Sequence, residues 1–306
     1  LDGIAAGANV GAALTGSTDN TVVTVTGANA MQGESNVRID SSSRMLLGHT
    51  ASVNAWGLGR KIQVHGTDGS TASIAATRWS NDANPSSLIL AKSRSGTPGS
   101  FTTVADDDYI GTIGFLGDDG TDLGESVSRI DCRVDGTVGG NQLPGRLEFS
   151  TTKSNGQSTV KMTIDSSGYV TKPNTPCFHY RTYNNSSTNA SMNSDENVIL
   201  ATAVTNIGNH YDTSNGRFTC PVAGKYFFFF NATIDDNLAA GYFSGRVDVN
   251  GSGQVWLFYD RHPGSVYSHS SGSCILSLSA NDYVQFWTRA GLHNGSETNG
   301  GGYLIG

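Results

Sequence analysis

Gly216-Arg217-Phe218-Thr219-Cys220-Pro221-Val222-Ala223-Gly224-Lys225-Tyr226-Phe227-Phe228-Phe229-Phe230 is the stretch on which the fold turns. Pro221 fits where a strand ends, Gly224 permits a tight turn, and Tyr226 to Phe230 then read as a strand with aromatic rings on both faces. A strand with one wet face alternates apolar and polar, so five consecutive rings mean that both faces are covered. One face fills a sandwich, and the other needs a partner.

Composition extends this reading to the whole chain. Of 306 residues 39 are Gly, and 15% are charged, well below the usual quarter. Ser, Thr, Asn, Asp, Gly and Val favour turns, caps and strands over long helices, so the expected class is all-β. Gly shows no period of three, which excludes collagen, and the clustered aromatics argue against disorder. A formal charge of -7, with 19 scattered basic residues, disfavours nucleic acid. There is no long apolar run, so no membrane insertion is expected. Leu1 to Ala8 carry neither a starting Met nor a signal pattern, and the chain reads as part of a longer protein. Cys132, Cys177, Cys220 and Cys274 stand far apart with no C-x-x-C pair, and are read as buried free thiols rather than as disulfides. The N-x-[ST] sites at Asn185, Asn189, Asn231, Asn250 and Asn294 are what chance gives in so Asn- and Ser-rich a chain, and carry no reading.

Three regions follow: an N-terminal fibre or linker segment over 1–36, a β-rich domain over 37–170, and a head over 171–306. The first contains one alternating strand, Thr21 to Thr26. In the second, strands are expected at Arg60–His65, Ser87–Ala91, Tyr109–Phe115, Ser128–Val134 and Gly145–Ser150. Asp68-Gly69, Asp119-Gly120, Asp135-Gly136 and Asn155-Gly156 are hairpin-turn signals. Val37-Arg38-Ile39-Asp40-Ser41-Ser42-Ser43-Arg44-Met45 is echoed by Met162-Thr163-Ile164-Asp165-Ser166-Ser167-Gly168-Tyr169-Val170, as if each copy closed a module. Two prolines within Lys172 to Pro176 mark the boundary to the aromatic head.

Tyr211-Asp212, then Gly216-x-Phe218-x-x-Pro221 and Gly224-x-Tyr226-x-Phe228, resemble the signature of the complement component one q globular-head family. Ser273 to Val284 and Gly302 to Ile305 look like its later strands. That resemblance, over about 176–306, implies a jelly-roll β-sandwich and a homotrimer. Phe227 and Phe229, opposite in parity to Tyr226, Phe228 and Phe230, are then the candidates for the trimer axis. Separately, Leu90 to Gly96, Ile110 to Thr121, Val134 to Gly139, Pro144 to Thr152 and Met162 to Gly168 resemble bacteriophage tail fibres, as does Val25 to Glu34 upstream. This second resemblance implies a trimeric shaft in a virion, extracellular, whose partners are other phage tail proteins and a host surface glycan or outer-membrane receptor.

For chemistry the residues offer little. No nucleophile elbow, zinc, Walker or dinucleotide motif stands in a supporting context, so no catalytic residue, metal ligand or cofactor is read. Asp106-Asp107-Asp108 and Asp118-Asp119-Gly120-Thr121-Asp122 could hold Ca²⁺ or supply paired carboxylates for glycoside cleavage, but Asp is the ordinary residue of β-turns. The most suggestive surface runs from Gln254 to His269, where Trp256, Tyr259, Arg261, His262, Tyr267 and His269 are candidate receptor-binding residues. Their rings can stack on sugar faces, and Arg261 can pair with an acidic group. The expected function is adsorption to a host surface without bond breaking, the alternatives being a capsule-degrading fibre enzyme or a secreted lectin-like ligand of non-viral origin.

Overall fold

The computed structural model describes residues 21–27, 30–183, 195–289, 291–293 and 295–306. Most of the expected N-terminal segment, and the sites at Asn185, Asn189 and Asn294, lie outside the described residues. The described chain is all-β, without a helix, and divides into two compact units, Leu1–Thr171 and Lys172–Gly306.

Among the described residues the first unit contains eleven strands. β1 (Thr21–Gly27), β2 (Ala30–Ile39), β3 (Met45–Leu47) and β6 (Ile62–Val64) form one sheet, and β4 (Asn54–Ala55) with β5 (Leu58–Gly59) forms a small hairpin. β7 (Tyr109–Gly117), β8 (Glu125–Val134), β9 (Gly145–Thr152), β10 (Ser158–Ile164) and β11 (Val170–Thr171) form an antiparallel meander.

The sequence echo is a structural repeat. Asp40, between β2 and β3, accepts backbone hydrogen bonds from Ser42 (2.9 Å) and Arg44 (3.0 Å) on Oδ1, and Asp165, between β10 and β11, accepts the same pair from Ser167 and Tyr169, both at 2.9 Å. The left-handed residue each turn requires is Ser43 (φ 57°) in one copy and Gly168 (φ 86°) in the other.

Several local expectations change. Ser87–Ala91 is not a strand; none occurs between Val64 and Tyr109, and Leu88 and Ile89 are exposed. A run of strand formers pairs only where an edge comes alongside, and no edge of its own chain does. Asp68-Gly69 makes no hairpin, because Asp68 instead caps Ser70 and Thr71 locally (2.9 and 3.0 Å), which pulls its carboxyl down to about 2. Asp135-Gly136 opens the longer connection from β8 to β9 rather than a two-residue turn. Asp119-Gly120 and Asn155-Gly156 do turn the chain between consecutive strands, with Gly120 at φ 95° and Gly156 at φ 80°.

The second unit is a two-sheet sandwich. The sheet that carries the aromatic run is ordered β14 (Leu200–Ile207), β12 (Cys177–Tyr183), β22 (Asn299–Leu304), β17 (Gly224–Ile234) and β20 (Ser268–Leu278). The facing sheet runs β15 (Tyr211–Asp212), β16 (Arg217–Thr219), β21 (Tyr283–Arg289), β18 (Gly241–Val249), β19 (Ser252–His262), with β13 (Asp195–Val198) also on β21. Between them lies an aromatic core in which Phe178 stacks on Phe218 (ring centroids 4.6 Å) and Phe230 on Phe286 (5.1 Å). Gly300, Gly301 and Gly302 occupy the central strand β22 because there is no room for more: a Cβ on Gly301 would run into the Phe178 carbonyl oxygen.

All four cysteines are unpaired, but only Cys220 is fully buried; the other three are half-buried. Burial pushes the Cys220 thiol up to about 12 and Cys274 up to about 11. Since the thiolate is the nucleophile, Cys220 is expected to react with iodoacetamide at pH 8 at least about 100-fold more slowly in the native protein than in urea. A native rate within tenfold of the denatured one would contradict that burial.

Candidate binding surfaces

The aromatic run of β17 divides by parity. Tyr226, Phe228 and Phe230 are buried in the sandwich, whereas Phe227 and Phe229 lie on the opposite face of the sheet, only partly covered. Partners in an antiparallel ladder share a face. Following Phe227 across the sheet therefore gives one row over all five strands: Ile275, Phe227, Tyr303, Cys177 and Ile207. The rings of Phe227 and Tyr303 are 5.4 Å apart, and none of the five residues is buried. The next row carries Phe229 edge-on to His179 (5.4 Å), and the third is polar, with Asn231 Nδ2 donating to Asn299 Oδ1 at 2.8 Å. This face grades from apolar at one end to polar at the other.

The facing sheet presents a different surface. Arg246 on β18 lies between Trp256 and Trp287, its ladder neighbours on either side, with the guanidinium 5.3 Å from each ring. Asp248 (2.7 Å) and Asp195 (3.2 Å) neutralise it, so Arg246 serves to hold the two indoles. Alongside, Tyr242 and Tyr259 stack at 5.6 Å with both rings exposed, and Arg261 is the ladder partner of Tyr242. The Arg261 guanidinium is exposed and pairs with no carboxylate among the described residues. A β-bulge between Arg246 and Gly245 sets Leu257 out of register, which brings Trp256, Tyr259 and Arg261 onto one face.

The six sequence candidates are thus not one site. Trp256, Tyr259 and Arg261 share the exposed face just described. His262 is fully buried, a correction to its expected place in a binding loop: Nε2 donates to the Leu238 carbonyl (3.3 Å) and Nδ1 pairs with the Ser268 hydroxyl (2.9 Å), which pins the corner between β19 and β20. Because that corner passes from one sheet to the other, His269 belongs to the opposite sheet, 3.0 Å from Thr233 Oγ1, and Tyr267 lies edge-on to His293 at 4.8 Å. Tyr242 was missed by sequence reading, since nothing short of the β18–β19 register places it beside Tyr259.

The acidic runs are turn and network residues. Asp108 takes Lys92 and Arg94 (2.9 and 2.7 Å), Asp107 takes Arg146, and Asp119 accepts from the Thr121 amide (2.9 Å). Arginines and amides around Asp107, Asp108 and Asp119 hold these carboxyls below the ordinary range. Among the described residues no cluster of three or more His, Cys, Asp or Glu could hold a metal ion, and no helix is long and apolar enough to cross a membrane.

Comparison with known proteins finds similarity in the second unit. The family described as "C1q domain" matches residues 182–305. Complement C1q tumor necrosis factor-related protein 3 of Mus musculus is 32% identical over 99 residues, 32% of this chain and 38% of that protein. The Homo sapiens protein of the same name is likewise 32% identical over 99 residues, with the same shares of the two chains. The chain therefore spans well under half the length of these relatives. Among solved structures, the globular domain of zebrafish complement 1qA (24% identity, TM-score 0.34) covers 43% of this chain and 98% of its own. Murine APRIL (16% identity, TM-score 0.34) covers 43% and 99%. The C-terminal unit is thus similar in sequence to the C1q domain over residues 182–305.

Proposed function

We propose that the chain is a homotrimeric receptor-binding protein, assembled through the Phe227 face of the head and binding a host-surface glycan through Tyr242, Trp256, Tyr259 and Arg261. The observation that carries the assembly is the apolar row across five strands, uncovered in a single chain although apolar surface of that extent normally has a partner. Three is the number that the C1q/TNF-like head implies, and threefold symmetry multiplies weak sites. The tail-fibre resemblance supports the finer reading, an extracellular virion protein whose first unit is shaft, whose neighbours are other phage tail proteins, and whose receptor is a host glycan or outer-membrane component.

The binding chemistry follows from the exposed face. Stacked tyrosines offer flat apolar surface to the C–H faces of a sugar, and the unpaired Arg261 offers two parallel donors to a carboxylate or phosphate on it. A glycan-cleaving reading needs a general acid whose pKa is raised. Asp135 and Asp212, by contrast, are held below the ordinary carboxylate range, Asp135 by the Ser166 amide and Asp212 by Ser214. Light scattering of the full chain at micromolar concentration is expected to give three times the 32.1 kDa chain mass. Against a panel of acidic bacterial surface polysaccharides, Tyr259→Ala and Arg261→Ala are each expected to weaken binding by roughly tenfold or more with the mass unchanged. Undiminished binding in both would place the receptor site elsewhere, and sugar release from the panel would favour the enzyme.

A further inference from the structure

The five-stranded meander of the first unit is inside out for a solitary chain. One face carries Arg129, Asp131, Arg133, Arg146, Glu148 and Ser150, yet Asp131, Glu148 and Ser150 are buried, and Trp56 packs over Gly114 on that side. Asp131 is tied to Arg129 (2.7 Å) and Thr112 (2.8 Å), and Glu148 to Arg146 (2.7 Å). The other face carries two apolar rows: Ile113, Ile130, Phe149 and Met162, then Cys132, Leu147, Ile164 and Val170. None of those eight is buried; on that face of β8 only Val134, at the strand's end, is covered. A sheet that buries ions and leaves its apolar face open loses on both counts unless something covers the open face.

The same unit carries apolar residues with nothing to cover. Residues 66–104 contain no strand or helix, far beyond the length of an ordinary connection. Trp79 is 92% exposed, Leu88 83%, Ile89 80% and Phe101 93%. The segment is fastened at both roots. At one, the His65 amide just before it donates to the Leu47 carbonyl on β3 (2.8 Å). At the other, Leu90 packs against Gly111 on β7, and Lys92 and Arg94 pair with Asp108. Between the roots, residues 72–89 hydrogen-bond only locally, as in Arg78 to Asp82 (2.6 Å). Gly111 pairs with Cys132, so Leu90 sets the arm at the rim of the apolar face itself.

We propose that residues 72–89 form an exchanged arm, which leaves its own chain and covers the open apolar face of the meander on a second copy. Each chain carries one uncovered arm and one uncovered face, so a single symmetry operation repeated around a closed ring satisfies every copy, which no unrelated partner would do. Extended, 18 residues span up to about 60 Å, enough to cross to a neighbour. The exchange goes beyond assembly through the head, since it makes the first unit an interface in its own right.

The test places the photo-cross-linking residue p-benzoylphenylalanine at position 79 in the full chain. On irradiation the denatured product is expected at twice the chain mass, with the linked peptides drawn from β7 to β10 of another chain. An assembled protein that yields only within-chain links, or links only to the head, overturns the exchange and leaves head assembly standing; a monomeric mass before irradiation overturns both. As a second measurement, Leu88→Asp with Ile89→Asp is expected to speed proteolysis within residues 72–89 at least tenfold, because both side chains are exposed in a single chain and only a partner hides them. Equal cleavage rates overturn the proposal.

Discussion

Phe227→Asp is expected to turn the head unit, residues 172–306, from a trimer into a monomer without unfolding it. The head is the proper context, because its core is complete within its own residues and an exchanged arm in the first unit would otherwise hold the chains together. Phe227 belongs to the row Ile275, Phe227, Tyr303, Cys177 and Ile207, and its ring lies beside those of Tyr303 (centroids 5.4 Å) and Phe229 (6.4 Å) on the face opposite the buried Tyr226 and Phe228. Each substitution removes roughly 2 kcal/mol of apolar burial from the interface. In the proposed trimer it also places a carboxylate where three copies would converge, with no cation in its row, at a further cost of several kcal/mol for each ion desolvated. Light scattering is expected to report one third of the wild-type head's mass at micromolar concentration, with the far-ultraviolet strand spectrum retained. A trimeric mass would show that the apolar row is not the interface, and would remove the reason for calling Phe227 and Phe229 axis residues.

The contrast between Phe227 and Phe228 was legible in sequence because parity is a local property. Once Tyr226 to Phe230 is a strand, alternate rings face opposite ways. Turns were legible for a similar reason: Asn155-Gly156 and Asp119-Gly120 state their geometry within two residues, and Asp40 and Asp165 each organise a turn through hydrogen bonds reaching no more than four residues ahead.

What failed in sequence depends on distant partners. Strict alternation puts Trp256 and Tyr259 on opposite faces; the bulge opposite Gly245 and Arg246 brings them together, and it exists only because β19 pairs with β18. His262 looks like a surface histidine until the β19–β20 corner folds over it beside Leu238, 24 residues away. Ser87 to Ala91 has a strand's composition but no edge to join within its own chain. The meander misleads most, since a charged row and an apolar row alternate as in any half-buried strand, and only the tertiary structure reveals that the charged row faces inward. Which row of the meander is the inner one is therefore not readable from its alternation alone.

Phe228→Ala is expected to cost the head about 4 kcal/mol, out of the 5–15 kcal/mol typical of a domain. The monomeric Phe227→Asp head is the background of choice, since its stability does not depend on concentration. Phe228 is fully buried, with Tyr226 at 6.2 Å, Phe218 at 6.0 Å and Phe178 at 6.3 Å around it, and these rings are too closely packed to collapse into the space it leaves. Its other neighbour tests the packing more sharply. A Cβ on Gly302 would meet the Phe228 ring at 2.5 Å and the Phe227 carbonyl oxygen at 2.7 Å. Gly302→Ala alone is therefore strongly destabilising. In the Phe228→Ala background the ring clash is gone and only the backbone contact remains, so the pair is expected to cost less than the sum of its parts, by at least about 1 kcal/mol. Urea unfolding of the four proteins measures this directly. Strict additivity would mean that glycine at 302 answers to the backbone of β17 alone, and that the aromatic core does not dictate the glycines of β22.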